Sequence, residues 1–351
     1  MNRRQFLSGG LALSIGGAGP SLAEDGIPVA DMHVHLFFPG VIPGRNTPLV
    51  PLRRTMEAGG LKLLGWSLVG DLPWIRSASG RLRQSGVPDG EAALDWLKIE
   101  LARVKAHLEA QDLKVALTPA DIDRAIAGEP HVVLSVEGAS FLDGHPENLQ
   151  AAYDMGVRHV QFVHYVRNDL GDIQTEKPEH GGLTASGRET VAACNSLGIL
   201  IDLAHATGKV VEDVLSVSKA PVVWSHSALA TGRTPDWTRP MPFARHLGVD
   251  HAKAIADKGG VIGLWGLRSD AGPGPEGYAR KLAQMAGVLG DAHVGIGTDS
   301  GALASPAVTA GADMRRVVQH LLGQGLPRES VEKIAMGNYA RVLKAALTPA
   351  V

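Results

Sequence analysis

The sequence predicts an α/β protein, a (β/α)8 TIM barrel with insertions in its rim loops, on three observations. From Ile27 onward, short β-rich runs alternate with longer segments of helical periodicity, the pattern of parallel βα units. Several of the runs, such as Val132-Val133-Leu134 and Ile199-Leu200-Ile201, are almost wholly apolar, as strands covered on both faces by helices should be. The chain of 351 residues carries 43 glycines, which suits many tight strand-to-helix turns, and it is long enough for one barrel with insertions.

Residues 1–23 stand apart from this pattern. Met1-Asn2-Arg3-Arg4-Gln5-Phe6-Leu7 is a twin-arginine pattern, and a weakly apolar run and the small-residue site Ser21-Leu22-Ala23 follow it in the right order. A signal peptide cleaved after Ala23 is expected, with export by the twin-arginine route to the periplasm or beyond. The apolar run is too short and too glycine-rich to anchor in a bilayer, so no membrane span is expected. Residues 24–351 then form a single barrel domain.

Eight strands are expected at 27–36, 61–69, 131–137, 157–164, 199–205, 221–226, 260–266 and 293–299. Between them, residues 91–111 place Leu94, Leu97, Leu101, Val104 and Leu108 at three- and four-residue spacing, one apolar helical stripe. Further helices are expected at 146–155, 185–197, 209–218, 250–258, 276–289 and 312–322, with two more in 328–347. Loops 37–55, 71–89 and 166–182 are longer than connection requires. They follow strands one, two and four, and so sit on the C-terminal rim where barrel enzymes keep their chemistry.

Charge and cysteine content exclude some functions. The 34 basic and 36 acidic residues leave a net charge of −2 with no basic stripe, so nucleic acid is not an expected partner. The single cysteine, Cys194, forms no internal disulfide and reads as a small core residue.

What gives the barrel a function is the set of residues that close its strands. His33 and His35, two apart on one strand, share a face and make half a metal site. Glu137, His164, His205, His226 and Asp299 end later strands. A charged Glu137 directly after Val132-Val133-Leu134-Ser135-Val136 is costly unless it is paired or bound to metal. Imidazoles and carboxylates are the usual zinc ligands outside thiolate sites, and only a carboxylate can bridge two ions. The expected arrangement is two zinc ions bridged by Glu137, with His33 and His35 on one side and His205 and His226 on the other. Asp299 is placed to move the proton of an attacking water, and His164 to polarise a carbonyl. The remaining histidines read as structural or surface residues, His180 being the one that lies in a rim loop.

These residues resemble those of the membrane (renal) dipeptidase family, the M19 metallopeptidases. The resemblance is carried by Asp31-Met32-His33, Ser135-Val136-Glu137-Gly138, His164 with Asn168, Gly182-Leu183-Thr184 with Gly187, Asp202-Leu203-Ala204-His205, Ser225-His226-Ser227, Gly295-Ile296-Gly297-Thr298-Asp299, and Gly337-Asn338 with Arg341. It implies a metallo-dependent hydrolase barrel that cleaves dipeptides with two zinc ions. It also implies that Glu137 bridges, His205 and His226 hold the second ion, Asp299 transfers the proton, His164 faces the carbonyl, and Arg245 binds the substrate's free carboxylate. Homodimers are usual in the family. Two positions depart from its pattern: His33-Val34-His35 stands where members have His-x-Asp, and no tyrosine matches near Trp265-Gly266-Leu267. A hydrolase of another amide, a lactam or an ester is the first alternative, since His-x-His on strand one is native to the broader amidohydrolases. A barrel that binds metal without catalysis is the second.

Overall fold

The computed structural model describes residues 26–35, 51–78, 81–232 and 235–348. The expected signal peptide and most of the first rim loop lie outside the described residues. Eight parallel strands follow one another around the sheet: β1 (Val29–Val34), β2 (Leu61–Val69), β3 (His131–Glu137), β4 (Val157–Gln161), β5 (Leu200–Asp202), β6 (Val223–Ser227), β7 (Val261–Leu264) and β8 (Val294–Ile296). The ring closes between β8 and β1. Val34 bridges Ser300 in parallel, Asp299 N–H donates to His33 O at 2.9 Å, and His35 N–H donates to Ser300 O at 2.7 Å. The expected barrel is therefore present, with helices between its strands.

Three strands stop about one turn of chain earlier than the sequence pattern indicates. β4, β5 and β8 end at Gln161, Asp202 and Ile296, so His164, His205 and Asp299 stand beyond the ladder. Two of these residues sit on turns of the backbone that no strand can pass through: His205 and Asp299 take left-handed conformations, with φ of 69° and 55°. Side-chain oxygens meanwhile take over as acceptors. Asp202 Oδ1 accepts from Ala204 N–H, and Asp31 Oδ1 accepts from Thr298 N–H, each at 3.0 Å.

The rim loops are more ordered than loops. Leu52–Gly59 is a helix within the first, and the second folds as a 3-10 turn, Leu72–Trp74, followed by a hairpin of Ile75–Ala78 with Arg81–Gln84. In the third, Asp172 organises the chain through its carboxylate, which accepts from Glu179, His180 and Gly182 N–H at 2.6, 2.9 and 2.8 Å. A helix at Pro119–Ile126 was also not anticipated. Its start carries a plain signal, a Thr118/Asp121 capping box with proline at the first position.

The barrel interior is crowded at the level just below the site. A Cβ on Gly263 or Gly297 would lie 1.8 Å from the Ser225 carbonyl oxygen, and Met32 fills the space that Gly263 and Gly295 leave. The N-terminal end is sealed by a π turn, Lys333–Gly337, and the helix Asn338–Ala346. There Asn338 Nδ2 donates to Asp291 O and Val294 O at 2.7 and 2.8 Å, and Arg341 donates to Gly259 O and Ala292 O. The Gly337-Asn338 motif with Arg341 is thus a seal on the barrel floor, far from the rim.

Gly297→Ala should cost about 3 kcal/mol of stability, the upper range for overpacking, because the clash is with backbone and not with a side chain that can move. Urea unfolding checks this, and an unchanged midpoint would show that the interior has room the geometry denies.

Candidate metal and catalytic site

Around Glu137 the barrel brings five imidazoles together. Glu137 Oε1 lies 3.1 Å from His205 Nε2, 3.5 Å from His226 Nε2, 3.6 Å from His33 Nε2 and 3.5 Å from His164 Nε2, and Oε2 lies 3.2 Å from His35 Nε2. The Nε2 atoms of His33 and His35 are 3.0 Å apart, and those of His205 and His226 are 3.2 Å apart. Ligands on a tetrahedral ion with bonds of about 2.0–2.1 Å stand roughly 3.3 Å from one another. Each histidine pair, taken with Glu137, therefore has the spacing of a metal site.

Hydrogen bonding at the far ring nitrogens agrees with that assignment. His35 Nδ1 is 2.8 Å from the Ser67 carbonyl, to which it can only donate, so Nε2 is left with its lone pair. Ser225 Oγ sits between two other rings, 3.3 Å from His33 Nδ1 and 2.9 Å from His226 Nδ1. Burial pushes His205 and His226 well below the ordinary imidazole range, with the charges of Arg245 and His33 respectively adding to it, so both rings are neutral and able to ligate. Burial alone would raise Glu137, yet His164, His33 and His205 hold its carboxyl well below the usual carboxylate range. His35 is the reverse case: burial pulls it down, but Asp299 and Glu137 drive it up to about 10. Two carboxylates thus call for positive charge at His35 Nε2, which a proton or a metal ion can supply. The residues fit a divalent metal.

The strand-one histidines depend on Asp31. Register between β1 and β2 slips between Asp31 and Val34, which pair with Leu64 and Trp66, so one extra residue of β1 stands in that interval. Asp31 pins the bulge: its carboxylate accepts from His33 N–H at 3.2 Å and from Thr298 N–H and Oγ1–H at 3.0 and 2.6 Å. Burial still pushes Asp31 up to about 6. Asp299, on the far side of Thr298, comes to 3.4 Å from His35 Nε2.

On the opposite wall, Asp71 was not foreseen. It follows β2 as the other site residues follow their strands, but was read only as the start of a loop. Its Oδ1 lies 2.7 Å from His164 Nδ1, and Oδ2 accepts from Tyr165 and Val166 N–H at 3.3 and 3.1 Å. Burial lowers His164, but Asp71 and Glu137 together hold it above its ordinary value. Arg245, on a 3-10 turn after β6, is 2% exposed, donates to Gln174 Oε1 at 3.3 Å and places Nη2 at 3.3 Å from His226 Nε2. Among the described residues no carboxylate lies within ion-pair distance of it. Burial pushes the Tyr165 hydroxyl up against the opposing charge of Arg245, and the Tyr165 ring packs 4.6 Å from His164 and 5.1 Å from His205. His180 is not part of the group; its Nε2 lies 3.2 Å from the Asn168 carbonyl.

Comparisons with known proteins give the chain a family and a fold. The family described as "Membrane dipeptidase (Peptidase family M19)" matches residues 84–350. Among curated relatives, the dipeptidase aclJ of Aspergillus oryzae is 27% identical over 222 residues, 60% of this chain and 50% of its own. This chain thus spans about half the length of that relative. An uncharacterized protein in the pqqA 5' region of Klebsiella pneumoniae is 28% identical over 276 residues, covering 74% of this chain and 98% of its own. Among solved structures, a metallo peptidase from Rhodobacter sphaeroides, liganded with a phosphinate mimic of the dipeptide L-Ala-D-Ala, superposes with a TM-score of 0.75 at 22% identity, over 91% of this chain and 99% of its own.

Ser225→Ala should weaken divalent-metal affinity by about 10–100-fold, since it frees two ligand rings at once. Competition against a chromophoric chelator measures this, and unaltered affinity would take Ser225 out of the support of the site.

Proposed function

Because the chain belongs to the membrane dipeptidase family, peptidase family M19, we propose that it is a zinc-dependent dipeptidase acting on dipeptides with a free C-terminal carboxylate. The observation that carries this reading is Arg245, a guanidinium buried 3.3 Å from a ring of the metal cluster, with no carboxylate beside it among the described residues. A buried charge without a counter-ion is costly, and a substrate carboxylate is the group that a guanidinium fork fits. The dipeptide mimic held by the Rhodobacter sphaeroides peptidase supports the same substrate class.

In this reading zinc would be held by Glu137 together with His33 and His35 on one side and His205 and His226 on the other. When bound, the ions supply a water whose pKa falls from roughly 15.7 towards about 7, and polarise the amide carbonyl. Arg245 and the Tyr165 hydroxyl fix the substrate's carboxylate end, so the scissile bond is presented in one orientation. Asp299 accepts the proton of the attacking water and delivers it to the leaving amine. His164, biased towards its protonated form by Asp71, offers Nε2–H to the oxyanion that develops on the carbonyl. Arg3 and Arg4 support export of the folded, metal-loaded enzyme.

Elemental analysis of the mature protein should find two zinc ions per chain, with chelator-sensitive cleavage of L-Ala-L-Ala and no cleavage of its C-terminal amide. Turnover of a lactam or ester alone would transfer the site to the broader amidohydrolase reading that His33-Val34-His35 invites. Asp299→Asn should keep its metal and lose about 10²–10⁴ in kcat; full activity would remove Asp299 from the proton path. Arg245→Ala should lower kcat/KM about 10–100-fold on free-carboxylate dipeptides, and an equal loss on amidated peptides would sink the clamp.

A further inference from the structure

Beside the site, a cavity of ≈ 160 Å³ opens between the rim hairpin, the loop after His164 and the loop after β6. Three of its walls end in guanidinium groups, Arg81, Arg83 and Arg239, and the aromatic walls are Tyr165 and Trp237. The single carboxylate among the lining side chains is Glu176, and it is engaged with Arg83 at 3.2 Å. Among the described residues, neither Arg81 nor Arg239 has a carboxylate within ion-pair distance. Arg239 is the more telling of the two, because its Nε is buried with no hydrogen-bond partner. Asp236 feels the charge of Arg239, but its Oδ1 is taken by Thr238. A buried N–H without an acceptor is destabilising unless a ligand supplies one.

The cavity is not remote from the chemistry. Tyr165 is a shared wall, with one side on the cavity and its ring 5.1 Å from that of His205. Ala244, the residue before Arg245, lines the cavity too. A dipeptide's last residue carries its carboxylate and its side chain on one carbon. With the carboxylate at Arg245, whose chain neighbour Ala244 lines the cavity, the space beyond Tyr165 is the one we assign to that side chain. That space has room for roughly five waters at about 30 Å³ each, ample for an aspartate or glutamate side chain.

Resting on the dipeptidase reading, the geometry points to a cationic subsite that selects dipeptides with an acidic C-terminal residue. Arg81 and Arg239 supply the uncompensated donors. Arg83, already paired with Glu176, sets the edge of the subsite, and the Trp237 and Tyr165 rings cover the methylene stem. A carboxylate there makes charge-assisted hydrogen bonds that the isosteric amide cannot match.

The test is steady-state hydrolysis, by the zinc-loaded protein, of L-alanyl dipeptides ending in Ala, Asn, Asp, Gln, Glu or Lys, in both configurations of the last residue. Asp should exceed isosteric Asn in kcat/KM by about tenfold or more, and Lys should be the poorest. In Arg239→Gln and Arg81→Gln the Asp-to-Asn ratio should fall severalfold, and in Arg239→Glu the order of Glu and Lys should reverse. Each ratio is taken within one variant, so partial loss of folded protein cancels. Cleavage of L-Ala-L-Ala with Asp no better than Asn overturns the subsite and leaves the dipeptidase standing. If no dipeptide is cleaved, the dipeptidase reading fails. Calorimetric titration with the Asp and Asn peptides then decides the subsite: tighter binding of the acidic peptide, weakened in Arg239→Gln, upholds it, and equal or absent binding overturns it.

Discussion

A carboxylate 3% exposed at the end of an apolar strand sets the terms for this molecule. Glu137 cannot be ionised there without cationic or hydrogen-bonding company, and the barrel answers by turning an imidazole towards it from four other strands or the turns just after them. Those imidazoles are buried in turn, so each needs its far nitrogen fixed. The Ser67 carbonyl, the Ser225 hydroxyl and the Asp71 carboxylate meet that need for four of the rings. The shell of hydrogen bonds is as much a consequence of the buried charge as the ligand cluster itself.

The polar network does not stop at the ligands. Below His33 and His226, Asp202 accepts from Ala204 and Ser225 N–H and faces His159 Nε2 at 3.3 Å, while His159 Nδ1 lies 3.3 Å from the Tyr339 hydroxyl. A file of polar groups therefore runs down the barrel from the imidazole cluster towards the helix that seals its floor. Asp202 and Ser225 stand in the motifs around His205 and His226 as members of this file, and Asp202 with His33 and His226 also has the spacing of metal ligands. Buried networks of this kind specify one arrangement, because each member left unpaired is costly.

How much of this was legible depends on what each residue had to signal. Alternation and strand-end position are written in sequence, and they brought His33, His35, Glu137, His164, His205, His226 and Asp299 to one place. The extent of the strands was not legible at His205 and Asp299, because a left-handed φ in a non-glycine residue is imposed by tertiary contacts and leaves no mark in the chain. Asp71 was readable by the same strand-end rule, and the Thr118-Pro119-Ala120-Asp121 cap by its spacing; both were passed over. Tyr165 could not be found by position, since only the fold sets its ring against both His164 and His205. Arg245 itself carried no signal in spacing or periodicity, and only resemblance picked it out.

The bonds that close the ring have a further consequence for how activity arises. β1 carries His33 and His35, β8 leads to Asp299, and these meet through Asp31 with Thr298 and through Asp299 N–H with His33 O. Nearly 270 residues separate the two partners of the Asp31 contact, and every other barrel strand lies between them. Without the last strand docked on the first, Asp299 and the strand-one histidines lack the contacts that set them against Glu137. The site's geometry is therefore coupled to closure of the ring, and a change that loosens any strand of the sheet also loosens the cluster around Glu137.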